Sequence, residues 1–472
     1  MNTSDNGMQK RYFFIGAGGI GMANLVRYFL AKCCPVAGYD RVRSDLSRRL
    51  EQEGAVMIYE DDPSLIPPEF LSKDDTEVVF TPAIPDDNRI ISYYRSEGFE
   101  MHKRAWVLGE ITRSLKGICV AGSHGKTTTS SMIAWILQQT PKGGNAFLGG
   151  ILRNVDSNLI ISPESEYAVV EADEYDRSFH QLSPWIAVVT SADPDHLDIY
   201  GDERHYLEAF SHFTSLIRPG GTLLLHTGLK VKPRLQEGVS LQYYSGPGDA
   251  GNADWRAENV TFGDGELHFD LAGPDGFRVE AINLGVPVEI NVDNAVAAAA
   301  AARLAGASGE EIRRGLESFK GAKRRFEILL RGAKDGARAV LVDDYAHSPA
   351  EIEASIRSLR KLYPGKRLTV VFQPHLYTRT RDFAPEFAEA LSHADEVILT
   401  EIYPARELPI PGVDSGIILK GISCPATLIE RKNLLDKIKI TNFDILITLG
   451  AADLDTLLPD IVDILKTPLA EK

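Results

Sequence analysis

Apolar residues come along this chain in short runs, each closed by glycine, hydroxyl or acidic residues and followed by helical spacing. Tyr12–Ile15 is the first run. It is closed by Gly16-Ala-Gly18-Gly19-Ile-Gly21, then by a predicted helix and a second strand that ends in Asp40. Val78–Phe80 runs into Thr81-Pro-Ala83-Ile-Pro, and Arg104 opens a predicted helix. Ile118–Ala121 is closed by Gly122-Ser123-His124-Gly125-Lys126-Thr127-Thr128, with a helix to Gln139. Tyr167–Val170 and Trp185–Thr190 are strands that run into acids. Alternation over Trp255–Leu284, with Gly-Asp-Gly and Gly-Pro-Asp-Gly turns, predicts antiparallel hairpins at a sheet edge. The alanine-rich run that follows Asn291 predicts a helix to Ala302. Beyond a basic hinge at Arg324-Arg325, strands are predicted at Ala339–Val342, Leu368–Phe372, Glu396–Thr400 and Ile445–Leu449.

Strand and helix alternating in this way predict an α/β protein with mainly parallel sheets. We divide the chain into three such domains. Residues 1–115 form a Rossmann-like domain, 116–322 a central domain like a P-loop ATPase, and 323–472 a second Rossmann-like domain. A length of 472 residues accommodates two or three domains. A net charge of −15 argues against nucleic acid as the main partner, but not against small anions held by a local loop. No apolar run approaches the roughly 20 residues that span a bilayer. The stretch MNTSDNGMQKRYFF lacks the apolar core of a secretion signal. Cys33, Cys34, Cys119 and Cys424 have neither zinc-type spacing nor the pattern of a disulfide framework. A cytoplasmic protein without membrane insertion, monomer or homodimer, is expected.

The loop at Gly122 carries the clearest chemistry. Its glycines let the backbone bend around an anion, and the first N–H groups of the following helix lack partners within it. Lys126 supplies a charge for outer phosphates, and the Thr127 hydroxyl is placed for a magnesium ion. Only Ser123 and His124 separate the two glycines, where the common pattern has four residues. The first loop fits G-x-G-x-x-G with an acid about 20 residues on. It predicts a pyrophosphate at a helix N-terminus, with NAD and a UDP-sugar both open as ligands. Loops at the carboxyl ends of parallel strands line the ligand crevice, which makes Thr81 and Ala83 candidates beside it. Arg104 is a candidate for a phosphate or carboxylate.

Two polar clusters follow the central strands: Glu171-Ala-Asp173-Glu174-Tyr-Asp176, and Asp193-Pro-Asp195-His196-Leu-Asp198. Carboxylates beside a phosphate loop are what hard magnesium ions require. Asn294 stands near the start of the alanine-rich helix, where a helix cap is the ordinary reading.

GSHGKTTT, VVEADEYDRSF, TSADPDHLDIYGD, NVDNAVAAAA, RRFE, DDYAHSPAEI and FQPHLYTRTRDF occur in this order. Together they resemble the Mur ligase family over nearly the whole chain, from Phe14 to about Asp453. The resemblance implies a UDP-sugar domain, an ATP domain and an amino-acid domain. It implies ATP-dependent joining of L-alanine to UDP-N-acetylmuramate through an acyl phosphate, in peptidoglycan precursor synthesis. It assigns Gly122–Thr128, Asn294, Arg325 and Asp344 to ATP. Thr127, Glu171 and His196 would hold Mg2+, and Lys126, His196, Arg325 and His347 would act in catalysis. Gly16, Gly18, Gly19, Gly21, Asp40, Thr81, Ala83 and Arg104 fall to the UDP-sugar, which displaces NAD. Tyr345, His347 and Arg379 fall to L-alanine, with Arg379 on its carboxylate. Leu376 stands where many members carry arginine. Gly201–Phe213 lacks the lysine that several sibling ligases carbamylate, as in the alanine-adding branch. A site drawn from three segments is expected to draw them together on binding.

Overall fold

The computed structural model describes residues 10–81, 84–85, 87–194, 197–247, 253–405 and 407–467. Strands and helices alternate along them. The chain divides into two compact units: Met1–Arg256 with Ala272–Arg278 and Asn294–Gly315, and Ala257–Leu271 with Val279–Asp293 and Leu316–Lys472.

In the first unit, one sheet has the order Val56–Ile58, Val36–Tyr39, Arg11–Ile15, Thr76–Phe80, Met101–Lys103, and every pairing is parallel. The order reverses beside Arg11–Ile15, so the glycine loop after Ile15 and Thr81 both lie at the switch point where open α/β sheets bind ligands. Phe13, Phe70 and Tyr94 fill the core on one side, and Phe14, Leu25 and Val26 lie on the other. A parallel strand buried on both faces needs apolar residues throughout, which is why these strands read as unbroken apolar runs.

A second sheet of the first unit runs Ser240–Ser245, Thr222–His226, Ile186–Val189, Lys116–Ala121, Tyr167–Ala172, Asn145–Leu152, Ser157–Ile160. Its pairings are parallel up to the last, where Ser157–Ile160 is antiparallel to Asn145–Leu152. Lys116–Ala121 and Tyr167–Ala172 are neighbours, so the phosphate loop and Glu171 meet at one end of the sheet. The strands Trp255–Gly263, Glu266–Ala272 and Arg278–Asn283 are neighbours in that order, joined by the expected glycine turns. The alanine-rich helix spans Ile290–Leu304, one turn earlier than the cap reading of Asn294 required. Asn294 is therefore inside a helix rather than capping one.

In the second unit the order is Glu327–Arg331, Val340–Asp344, Ile445–Leu449, Leu368–Phe372, Glu396–Leu399, Ala426–Leu428, parallel except for the first pair. After Val340–Asp344 the chain turns into the helix Pro349–Leu362 through a capping box. The Ser348 hydroxyl accepts from the Glu351 N–H, and the Glu351 carboxylate accepts from the Ser348 N–H. Among the described residues, no helix is long and apolar enough to cross a membrane.

Removing the cap with Ser348→Ala is expected to cost about 1 kcal/mol. The check is a lower urea midpoint in chemical denaturation; an unchanged midpoint would mean the box contributes nothing.

Candidate active site

At the switch point, three glycines are small because named side chains press against them. A Cβ on Gly16, where φ is +85°, would lie 2.6 Å from the Thr81 methyl. One on Gly21 would lie 2.3 Å from an Arg104 guanidinium nitrogen. Asp40 accepts from the Gly18 N–H at 2.8 Å and from the Val42 N–H at 3.0 Å, so this acid ties its own loop together. Gly19 precedes the helix Ile20–Ala31, whose first turn has no side-chain cap. Gly16, Gly18, Gly19, Gly21, Asp40, Thr81 and Arg104 thus gather around one helix N-terminus. Ala83 lies outside the described residues.

The second loop is pinned from the neighbouring strand end. Ser191 Oγ accepts from the His124 N–H at 2.7 Å and lies 3.0 Å from Ser123 Oγ, which in turn accepts from the Asp193 N–H at 3.0 Å. Gly122 and Gly125 have φ of +149° and +82°, a backbone that glycine adopts without strain. Gly125 caps the helix Lys126–Leu137, which places Thr127 and Thr128 in its first turn. Asn294 is buried, and its Oδ1 accepts from Thr129 Oγ at 3.0 Å, so it braces the phosphate-loop helix.

The four acids at and after the end of the strand Tyr167–Ala172 have separate partners. Glu171 takes Thr127 Oγ at 3.2 Å, Ser130 Oγ at 3.3 Å and the Gly149 N–H at 2.6 Å. Burial pushes its carboxyl above the usual range, and these donors pull it back only in part. Asp173 pairs with Arg104 at 3.4 Å, and Asp176 with Lys103 at 2.8 Å. Glu174 is buried and holds the Lys126 ammonium at 2.8 Å. Lys126 also donates to the Gly122 carbonyl. Of the four acids grouped as magnesium candidates, three are therefore neutralised by cations of the chain. Glu171 alone faces hydroxyls.

Among the described residues, no group of three or more His, Cys, Asp or Glu side chains assembles as a metal site. A half-buried carboxylate beside a Thr hydroxyl is an all-oxygen donor set. That set fits a hard ion completing its shell with water and phosphate. His196 lies outside the described residues, as does Asp195.

In the second unit, Asp344 ends its strand buried, accepting from Ser355 Oγ and from the Phe326 N–H. Burial pushes its carboxyl up to about 6, with the Arg325 charge pulling the other way. Arg325 lies 5.5 Å from the Tyr345 ring centre, over its face. His347 stands edge-on to that ring, with its Nδ1 3.0 Å from the Tyr345 carbonyl. The arginine before it, Arg324, bonds the Gly450 and Ala452 carbonyls at 2.6 and 2.8 Å and pairs with Asp343 at 3.3 Å. Arg324 thus anchors the hinge, whereas Arg325 packs over the Tyr345 ring. Arg379 lies in the helix Tyr377–Asp382, and no carboxylate of the described residues pairs with it. Leu376, just before, has φ of +71°, a backbone few side chains adopt. Beside it, burial and then the Arg379 charge push the His375 imidazole below its ordinary pKa.

Sequence reasoning missed two residues here. Gly149 donates to Glu171, and its signal was a Gly-Gly pair inside an apolar strand. Glu174 was grouped with metal ligands although it holds Lys126.

Three family descriptions match the chain: Mur ligase family, catalytic domain over residues 11–116; Mur ligase middle domain over 120–302; and Mur ligase, glutamate ligase domain over 324–451. The chain is 52% identical to a UDP-N-acetylmuramate–L-alanine ligase of Parabacteroides distasonis, covering 96% of each chain. It is 51% identical to one of Phocaeicola vulgatus, covering 97% of this chain and 98% of that one. The crystal structure of a UDP-N-acetylmuramate–alanine ligase from Thermotoga maritima superimposes with a TM-score of 0.77 at 25% identity. That match covers 96% of this chain and 98% of the other.

The raised Asp344 carboxyl sets a pH dependence. The folded state holds a proton here that the unfolded chain releases near pH 4. The protonated form therefore stabilises the fold below about pH 4, and that contribution is lost as pH rises through about 6. Asp344→Asn is expected to gain stability over the parent at pH 8, on the order of 3 kcal/mol, with the gain shrinking toward pH 4. Urea unfolding at several pH values checks this; a difference independent of pH would contradict it.

Proposed function

This chain belongs to the Mur ligase family, and from that premise we infer that it joins L-alanine to the carboxylate of UDP-N-acetylmuramate at the expense of ATP, in peptidoglycan precursor synthesis. The observation that carries the reading is the extent of the likeness to ligases of that printed activity. It runs over nearly the whole of both chains and leaves no large segment for another chemistry.

The residues supply the physical steps. A carboxylate is a poor acyl donor, so it is activated by phosphoryl transfer from ATP. That step brings two anions together, and the cations here are Lys126 and Arg104, each now balanced by an acid of the chain. In our reading the Gly122–Thr128 loop takes the triphosphate, and Lys126 exchanges the Glu174 carboxylate for phosphate oxygens. Thr127 and Glu171, with His196, would hold Mg2+, which would neutralise charge on the phosphates. Asn294, Arg325 and Asp344 complete the nucleotide site. Gly16–Gly21, Asp40, Thr81, Ala83 and Arg104 take the UDP-sugar. The amine of L-alanine then attacks the acyl phosphate, and phosphate leaves from the tetrahedral intermediate. Arg379, which has no acid partner among the described residues, pairs with the alanine carboxylate, while Tyr345 and His347 flank the amine. We assign these roles to domains at 1–115, 116–322 and 323–472, in a cytoplasmic enzyme.

With ATP, Mg2+, UDP-N-acetylmuramate and L-alanine, the amide product is expected by mass spectrometry. Product with a peptide or D-glutamate and none with alanine would move the substrate within the family. Lys126→Ala is expected to lose at least about 100-fold in turnover while staying folded by circular dichroism. Near-parental turnover would remove the loop from the mechanism.

A further inference from the structure

One peptide group links the two glycine-loop helices of the first unit. The strand Asn145–Leu152 pairs on both sides only as far as Phe147, where its register with Ser157–Ile160 shifts. The next peptide, between Leu148 and Gly149, is turned to two other partners. Its carbonyl accepts from Asn24 Nδ2 at 2.9 Å. Its N–H donates to Glu171 Oε1 at 2.6 Å. A Cβ on Gly149 would stand 2.4 Å from the Glu171 carboxylate, so the backbone approaches as closely as it can.

Asn24 lies in the helix that opens at Gly19 and is 3% exposed. Its Oδ1 is buried without a hydrogen-bond partner among the described residues, so this asparagine is kept in place by the bond its Nδ2 donates. A second amide clamps the same helix to the same hairpin: Asn158 Nδ2 donates to the Ile20 carbonyl at 2.7 Å. Tyr28 packs edge-on against Phe147 beside it. Hydrogen bonds at both ends of one amide polarise it cooperatively, so the bond to Leu148 strengthens the one from Gly149. Groups behind a metal ligand fix its orientation and tune its affinity.

We propose that Asn24 is a positioning residue for the Glu171 carboxylate, acting through the Leu148–Gly149 peptide, and that it couples the first glycine-loop helix to the divalent-cation site. The proposal rests on the reading of Glu171 as a cation ligand. Asn24 touches neither substrate nor cation; it sets the direction and strength of the N–H that holds one carboxylate oxygen, leaving the other toward Thr127.

The test is Mn2+ binding to the full chain with ADP present, read by electron paramagnetic resonance. Asn24→Leu keeps the bulk and removes the donor. Its Mn2+ dissociation constant is expected to rise about 10-fold. Glu171→Gln separates the two readings. If it abolishes Mn2+ binding while Asn24→Leu leaves the constant unchanged, the relay is overturned and the ligand assignment stands. If Glu171→Gln itself leaves Mn2+ binding unchanged, both fall. Should Asn24→Leu not fold, the parent chain decides by nuclear magnetic resonance. The Asn24 side-chain amide signal is expected to shift when Mg2+ and ADP are added, and a signal that stays put overturns the proposal.

Discussion

The arrangement turns on a half-buried carboxylate that, among the described residues, forms no ion pair. Glu171 is partly desolvated, and its hydrogen-bond donors are two hydroxyls and one peptide N–H. Neutral donors recover only part of the solvation free energy of an ionised group. The acids that follow are balanced by Arg104, Lys126 and Lys103. The contrast separates them: three acids are paired with cations of the chain, whereas Glu171 is held by neutral donors, which is what our reading of it as a cation ligand rests on. The hairpin behind it, the pinned loop in front of it and the helix bearing Thr127 all hold that carboxylate in place.

Much of this was legible in the sequence because it is local. A strand, a glycine turn and a helix lie next to one another in the chain, so both loops, Lys126, Thr127 and Asp40 could be read directly. Glu171 could be placed as one of a group of acids, because parallel strands bring polar residues to a shared edge. Which acid met which cation could not be read. Asp173 and Arg104 are brought together only when two sheets stand side by side in one unit. Asn294 read as a cap because the residues before it carry weak helical signals, whereas the helix begins at Ile290. The strands Asn145–Leu152, Ser157–Ile160, Thr222–His226 and Ser240–Ser245 gave no pattern sharp enough to place them, and with the first of these went Gly149.

The second unit follows the same logic with opposite sign. Arg324 is saturated by two carbonyls and Asp343, whereas Arg379 pairs with no acid of the described residues. A guanidinium left without a carboxylate suits a ligand that brings one. Two adjacent arginines at the hinge looked equivalent in sequence. They differ because the Arg324 backbone, with φ of +59°, turns its side chain back toward the Gly450 loop.

The most direct test of the account follows oxygen atoms. UDP-N-acetylmuramate labelled with 18O in its carboxylate is turned over with ATP, Mg2+ and L-alanine, and the released phosphate is analysed by mass spectrometry. Activation as an acyl phosphate transfers one carboxylate oxygen to phosphate, so each phosphate is predicted to carry one 18O, with the other label retained in the amide. Unlabelled phosphate formed alongside the amide would contradict the acyl-phosphate route.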